Sequence, residues 1–390
     1  MTVHIHTFAM SRGKLYLAHT QSEFSVGGHM APSPSHDNAD ILQTLERLLK
    51  VRGIRPLRAG VRSLKESVSS NPDPILVLDP TDHGASPPPS VPLDHFLTEL
   101  NQIERAKTLP RARYYLDRLK RSLVEVNTRR INDINLNRWK EYKNILTDSL
   151  WLLDKRDGSG GHSAWYWGNF VPQIPQQLML RYTKSGEWVL DPFAGSGTTL
   201  LECRRLGRNC VGFELQASVA RRVRRGLKGK QSEIGTTTLG LEVGDSRTLN
   251  VRQILHSYGA KSVQLVILHP PYHDIIQFSK NRRDLSNFRT AEEFAAQFGK
   301  VVDNVTPALD PGRVLAVIIG DKYEKGEWKP LGFMLMNEVL KRGYKLKSIV
   351  IKNFEDTTGK RSQKELWRFR ALAGGFYLFK HEYIFIFQKS

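Results

Sequence analysis

The sequence predicts an α/β fold: a Rossmann-like sheet with flanking helices, preceded by a largely helical N-terminal region. Three observations carry this. From about Gly160 onward, seven short apolar runs alternate with helical stretches, the pattern of parallel strands joined by crossover helices. The first of these runs, EWVLD, leads into a glycine-rich loop that opens a helix. Before the break at Asp157–Gly161, DGSGG, apolar residues recur at helical spacing instead.

Taken in order, residues 1–92 form a region of mixed pattern. ADILQTLERLLKV (Ala39–Val51) has helical periodicity, and PILVL (Pro74–Leu78) reads as a short strand. GASPPPSVP (Gly84–Pro92) carries four prolines, which forbid helix and predict a linker or exposed loop. Residues 93–158 read as a basic helical segment, HFLTELNQIERAKTL and then RARYYLDRLKRSLVEVNTRRINDINLNRWKEYKNILTDSLWLL, parted by Pro110. Residues 159–390 form the α/β domain, with strands at EWVLD, NCVGFE, LGLEVGD, VQLVILH, RVLAVIIGD, KLKSIVIK and YIFIFQ. The last two are close together, which predicts an antiparallel pair at the sheet edge.

The 390 residues carry 58 Lys and Arg against 39 Asp and Glu, a net charge of +19. An excess of that size suits a polyanionic partner, nucleic acid above all. No apolar run approaches the ~18 residues of a membrane span. The N-terminus lacks a secretory apolar region. The two cysteines, Cys203 and Cys210, lack CxxC spacing, so neither a disulfide scaffold nor a metal site is expected and a cytoplasmic setting is the default.

The chemistry begins at DPFAGSGTTLLECRRLG, Asp191–Gly207. A strand, a glycine loop and a helix start place backbone N–H groups around a ligand, and Gly195 and Gly197 allow close approach. Ser196 and Thr198 add hydroxyls. No lysine follows the loop, so it is no phosphate-binding P-loop, and the spacing does not fit GxGxxG. The next strand ends at Glu214, where a carboxylate accepts hydrogen bonds from ribose hydroxyls. The third ends in GDSR, with Asp245 set to meet an adenine amino group.

As a whole, DPFAGSGTT resembles the first motif of the S-adenosylmethionine-dependent DNA amino-methyltransferases, which methylate cytosine N4 or adenine N6. The resemblance runs coarsely over Trp165–Phe387 and is sharp in two blocks. It implies a seven-stranded methyltransferase sheet and S-adenosylmethionine as cofactor, held by Asp191, Phe193, Ala194, Gly195, Ser196, Gly197, Thr198, Glu214 and Asp245. HSAWYWGNFVPQIP (His162–Pro175) resembles the segment that closes over the methionine end of that cofactor, which adds Trp167 and Asn169. A hydrophobic cap on the sheet is the other reading of this segment.

The second sharp block is HPPY, His269–Tyr272, which is similar to the family's (Asp/Asn/Ser)-Pro-Pro-(Tyr/Phe) turn. An exocyclic amine conjugated to a base is a poor nucleophile, and its lone pair must be drawn out of the ring as the methyl group arrives. By resemblance, His269 and the Pro270 carbonyl contact the amine. Pro270 and Pro271 stiffen the turn, and Tyr272 stacks on a base rotated out of the duplex. His269 departs from the pattern. A neutral imidazole has one acceptor nitrogen and an imidazolium has none, so activity is expected to fall as pH drops through roughly 6.5. A degenerate, inactive site is the competing reading.

Substrate contact is expected in NFEDTTGKRSQKELWRFRALAGGFYLFKHEY (Asn353–Tyr383), where Arg361, Lys364, Arg368 and Arg370 are interleaved with Trp367. ARRVRRGLKGK (Ala220–Lys230) reads as a solvated helix face. The resemblance implies methylation of a flipped base in duplex DNA, with cytosine N4 slightly favoured and a restriction or defence component as possible partner. An RNA amino-methyltransferase and a non-catalytic nucleic-acid-binding protein on the same fold remain the alternatives.

Overall fold

The computed structural model describes residues 38–70, 75–76, 90–153, 155–158, 162, 165–228, 236–354 and 364–390. Most of the proline-rich stretch and Arg361 lie outside the described residues. The chain divides into two compact units, one running to Leu76 and taking in Ser90–Asp117, the other holding Arg118–Ser390.

The first unit contains α1 (Asn38–Lys50), α2 (Ile54–Ser69), β1 (Ile75–Leu76), β2 (Ser90–Val91), α3 (Leu93–Glu104) and the start of α4 (Leu109–Val124). Helical spacing sets its core: Leu57, Val61, Leu64 and Val68 form one buried stripe of α2, and Phe96, Leu100 and Ile103 one of α3. Gly60 lets α1 approach, since a Cβ there would lie 2.4 Å from Leu48 Cδ2. PILVL contributes only Ile75–Leu76 as strand, paired antiparallel with Ser90–Val91.

In the second unit the expected helix does not run on to Leu153. It stops at Val124, and an asparagine-rich stretch explains the stop. Asn135 Oδ1 accepts from the N–H groups of Asn127 and Asn137, while its Nδ2 donates to the Glu125 carbonyl. Such side chains offer the backbone partners that compete with helix. The chain then passes through turns and a 3-10 segment at Leu136–Glu141 to reach β3 (Leu150–Trp151).

The remaining elements alternate: α5 (Gln173–Tyr182), β4 (Trp188–Asp191), α6 (Thr198–Arg205), β5 (Asn209–Glu214), α7 (Ala217–Leu227), β6 (Leu239–Val243), α8 (Val251–Ser257), β7 (Val263–Leu268), α9 (Ala291–Val305) and β8 (Leu309–Ile319). The hairpin β9 (Lys322–Glu324) and β10 (Glu327–Lys329) comes next, then α10 (Leu331–Leu340), β11 (Lys345–Asn353), α11 (Lys364–Gly374) and β12 (His381–Gln388). All seven expected strands form, and β3 makes an eighth, in the order β3-β11-β12-β8-β7-β4-β5-β6. β4, β5, β6, β7 and β8 run parallel. β12 is antiparallel to both β8 and β11, and β3 covers the outer side of β11. The expected antiparallel pair is therefore present towards that edge of the sheet, with the two residues of β3 outside it and α11 in its connection. Apolar side chains fill both faces: Phe213, Phe294 and Phe298 on one, Leu178, Met179 and Leu200 on the other. With β5 on one side of β4 and β7 on the other, strand order reverses there, and in open α/β sheets ligands bind at the carboxyl ends beside that point.

Candidate active site

The cofactor loop is built by its first carboxylate. Asp191, at the end of β4 and fully buried, accepts the Phe193 N–H at 2.9 Å, which closes the turn. Ala194 N–H then donates to the Phe213 carbonyl on β5 at 2.9 Å. Gly195 and Gly197 have φ of 49° and 81°, the left-handed conformations the loop requires. Burial pushes the Asp191 carboxyl up to about 6, with the nearby Thr199 hydroxyl and the Phe193 N–H opposing.

Glu214 lies at the end of β5, buried, with its Oε1 accepting the Gln216 N–H at 2.7 Å. Burial raises its carboxyl to about 7, opposed by N–H groups of Gln216 and Gly195 and reinforced by Asp284 and Asp191. Asp245 is buried as well, but both oxygens are engaged by Arg247, whose guanidinium also donates to Gln297 and to the Arg283 carbonyl. Burial alone would raise its pKa; the Arg247 bonds outweigh it and hold the carboxyl low.

The segment upstream of the sheet packs on this loop. Ser196 Oγ donates to Asn169 Oδ1 at 2.6 Å. Tyr166 stacks on Phe278 with ring centroids 5.6 Å apart, and its Cε1 would lie 3.1 Å from a Cβ on Gly195. The Arg222 guanidinium lies 4.0 Å from the Trp165 ring centroid. Trp167 does not join these contacts and is 69% exposed. Tyr166 and Phe278 carry the packing instead. They stand 112 positions apart in the chain, with no spacing signal to connect them.

The second motif follows β7, the strand beside β4. The His269 ring lies 4.7 Å from that of Phe170 and 5.7 Å from that of Tyr272, centroid to centroid. Desolvation drives the imidazole down to about 4, the Glu382 carboxylate opposing and Lys352 reinforcing. Tyr272 donates its hydroxyl to Glu382 Oε2 at 2.6 Å, and burial followed by that carboxylate pushes its pKa well above the usual phenol range. His273, the next residue, is buried in a left-handed conformation with φ of 52°. Its Nε2 meets the Phe288 carbonyl at 2.8 Å, and its Nδ1 faces Lys322 Nζ at 3.5 Å. Lys322 in turn pairs with Asp274 and with Glu324. His273 and Asp274, which the sequence leaves open between serving the site and capping the next helix, brace the turn here.

Comparison with known proteins shows the family. A family model described as DNA methylase, covering the N6 and N4 enzymes, matches residues 65–224 and 263–390. The chain belongs to this amino-methyltransferase family. M2.DpnII, a type II methyltransferase of Streptococcus pneumoniae, is 30% identical over 138 residues, 34% of this chain and 52% of that protein. M.MjaII of Methanocaldococcus jannaschii is 40% identical over 50 residues, 13% of this chain and 9% of that one. The chain spans about half the length of M2.DpnII and less of M.MjaII. Among solved structures, TrmN of Thermus thermophilus superposes with a TM-score of 0.38 at 16% identity, covering 57% of this chain and 50% of its own. In this family member both sharp motifs fall inside the matched segments, whereas Asp245 falls between them.

The family's cofactor is S-adenosylmethionine, and the residues present fit it. Asn169 Nδ2 is buried without a hydrogen-bond partner among the described residues, a donor left over for a ligand. Both loop glycines leave the backbone bare, and Glu214 offers a buried carboxylate for hydroxyl donors. α11 carries the expected basic and aromatic residues: Arg368 and Arg370 are exposed, and the Arg370 guanidinium lies 5.1 Å from the Trp367 ring. Lys364 opens that helix.

Proposed function

We propose that the protein transfers the methyl group of S-adenosylmethionine to an exocyclic amino group of a flipped base at specific sites in duplex DNA. The observation that carries this is the placement of both motifs at the carboxyl ends of adjacent parallel strands, DPFAGSGTT after β4 and HPPY after β7. Donor and acceptor are then held together, so that transfer becomes largely a matter of positioning.

The sulfonium supplies an electrophilic methyl carbon; the protein's work is on the amine and the donor's pocket. Neutral His269 provides one acceptor nitrogen and the Pro270 carbonyl a second, enough to take both amino hydrogens and turn the lone pair out of the base plane. Pro270 and Pro271 keep the turn stiff, and Tyr272 provides the aromatic face. Phe193, Ala194, Gly195, Ser196, Gly197 and Thr198 line the donor's side with Asp191, while Glu214 takes the ribose, Asn169 the methionine end and Asp245, through its Arg247 pair, the adenine rim. Cytosine N4 is the favoured target, because an uncharged group stands at the first position of the turn.

The DNA path we infer runs over α11. β11 ends and β12 begins at the sheet edge where β4, β7 and β8 end, so the connection bearing Trp367, Arg368 and Arg370 rises from the same edge as the two motifs. The type II names of the relatives suggest a restriction–modification setting with a cognate nuclease as partner.

The test is labelled methyl transfer from S-adenosylmethionine to unmethylated duplex DNA, alongside RNA and an Asp191→Ala control. Incorporation into DNA alone, lost in the control, is expected; base-resolved sequencing then separates N4 from N6 and gives the site. Label in RNA only, or none in either, would replace this reading with one of its alternatives.

A further inference from the structure

The turn that presents Tyr272 is tied to two charged residues far along the chain, and neither belongs to a motif. Lys352 on β11 and Glu382 on β12 stand directly opposite in the antiparallel register. Their side chains are paired at 3.1 Å and are less than a tenth exposed. β12 pairs Tyr383 with Ile319, which sets Glu382 level with Gly320 just past β8. Gly320 has no side chain to fill that row: a Cβ there would lie 2.8 Å from Tyr272 Cε2. The Tyr272 ring passes through the gap and its hydroxyl reaches Glu382 Oε2 at 2.6 Å. Lys352, Glu382, Gly320 and Tyr272 thus form one row across the strand ends, with His269 beside it.

We propose that Glu382, held by Lys352, is a positioning residue that fixes the Tyr272 ring, through the bare row at Gly320, as the face on which the flipped base rests. This rests on the methyltransferase reading above. An ionised acceptor makes the hydrogen bond a charge-assisted one, stronger and shorter than a neutral pair. Lys352 supplies the opposite charge that a carboxyl group buried at this depth needs. A stacking ring free to swing would leave the target amine out of line with the methyl donor, and misplacement of about 1 Å costs about a hundredfold in rate. The arrangement also gives a use to an acid near the turn in a chain whose first turn position is a histidine.

The test is a double-mutant cycle with Tyr272→Phe and Glu382→Gln on the full chain. It reads the single-turnover methylation rate on unmethylated DNA, with S-adenosylmethionine affinity measured separately. Each variant is expected to lose about tenfold in rate at unchanged cofactor affinity, and the double variant no more than the worse single, because both cut the same link. Glu382→Gln leaves Lys352 unpaired; if it misfolds, Glu382→Gln with Lys352→Met removes the pair together, and Tyr272→Phe leaves the pair intact. A rate within twofold of the unaltered enzyme, or losses that multiply, overturns the positioning role. An unaltered enzyme silent on DNA sinks the functional reading and this role with it, whereas an active enzyme indifferent to Glu382→Gln sinks this role alone.

Discussion

His269 and Phe170 lie ring against ring, their centroids 4.7 Å apart and their planes tilted by 53°. That contact shields the imidazole from water, and burial is the first cause that lowers its pKa to about 4, with Lys352 reinforcing and Glu382 opposing. The sequence alone placed an activity loss near pH 6.5. The structure moves it: His269 stays neutral, with its acceptor free, across the whole range from about pH 5.5 to about pH 8. The rate profile is therefore expected to show no His269 step in that range. His269→Asn, which keeps an acceptor oxygen, is expected to remain active, while His269→Leu is expected to lose roughly a hundredfold.

The same residue makes a stability prediction. Its folded pKa lies below the unfolded value of about 6.5, so the unfolded chain binds the proton first as pH falls. The stabilisation it contributes is full above about pH 6.5 and is lost as pH falls towards about 4. Thermal melting at about pH 7 and about pH 4.5 should show a larger drop for the unaltered protein than for His269→Asn. Equal drops would show that His269 is already charged in the fold.

Glu214 carries the opposite sign. Burial raises its carboxyl to about 7, so the free protein holds that proton, and its stabilising effect fades as pH rises through about 7. Ribose hydroxyls donate best to a carboxylate, so cofactor binding is expected to expel the proton. Affinity for S-adenosylmethionine should weaken by up to about tenfold per pH unit below about 7, with proton release measurable by calorimetry in two buffers. Glu214→Gln should bind more weakly and without that pH dependence. A slope that survives the substitution would assign the proton elsewhere, with Asp191, raised to about 6, the first candidate.

Much of the sheet and both motifs were legible in the sequence because each is written in consecutive residues. A buried parallel strand is a short apolar run, and a glycine loop or a proline turn announces its own geometry. The features that escaped depend on distant parts of the chain. The end of α4 at Val124 turns on Asn135 competing for backbone groups, which apolar periodicity does not register. Two residues of β3 are too few for any pattern and gain strand form only by lying on β11. Trp167 and Tyr166 are equivalent as text, yet it is Tyr166 that packs on the cofactor loop. Glu382 reads as an ordinary strand residue until the register sets it against Lys352 and Tyr272.

Gly197 gives a test of the loop by itself. Its φ of 81° suits glycine, and a Cβ would sit 2.6 Å from Val223 Cγ1 on α7. Gly197→Ala therefore meets both a strained backbone and a branched core side chain. A loss of about 2 kcal/mol or more in denaturant unfolding is expected, together with at least tenfold weaker cofactor binding. Val223→Ala opens the space and should restore part of the affinity. No rescue would leave backbone strain alone as the cause.

α11 makes the prediction about DNA. Each Lys or Arg that neutralises a phosphate adds about 0.9 to the slope of log affinity against log salt. Arg368 and Arg370 are exposed at the edge from which both motifs rise. Arg368→Ala with Arg370→Ala should reduce that slope by roughly two and weaken DNA binding about tenfold or more at moderate salt. Cofactor affinity should not change. The comparison is Arg221→Ala with Arg225→Ala on α7, where the basic residues form a solvated face. That pair should leave the slope nearly unaltered. If the α7 variant loses as much as the α11 variant, the DNA follows the other side of the sheet, and α11 reads nothing.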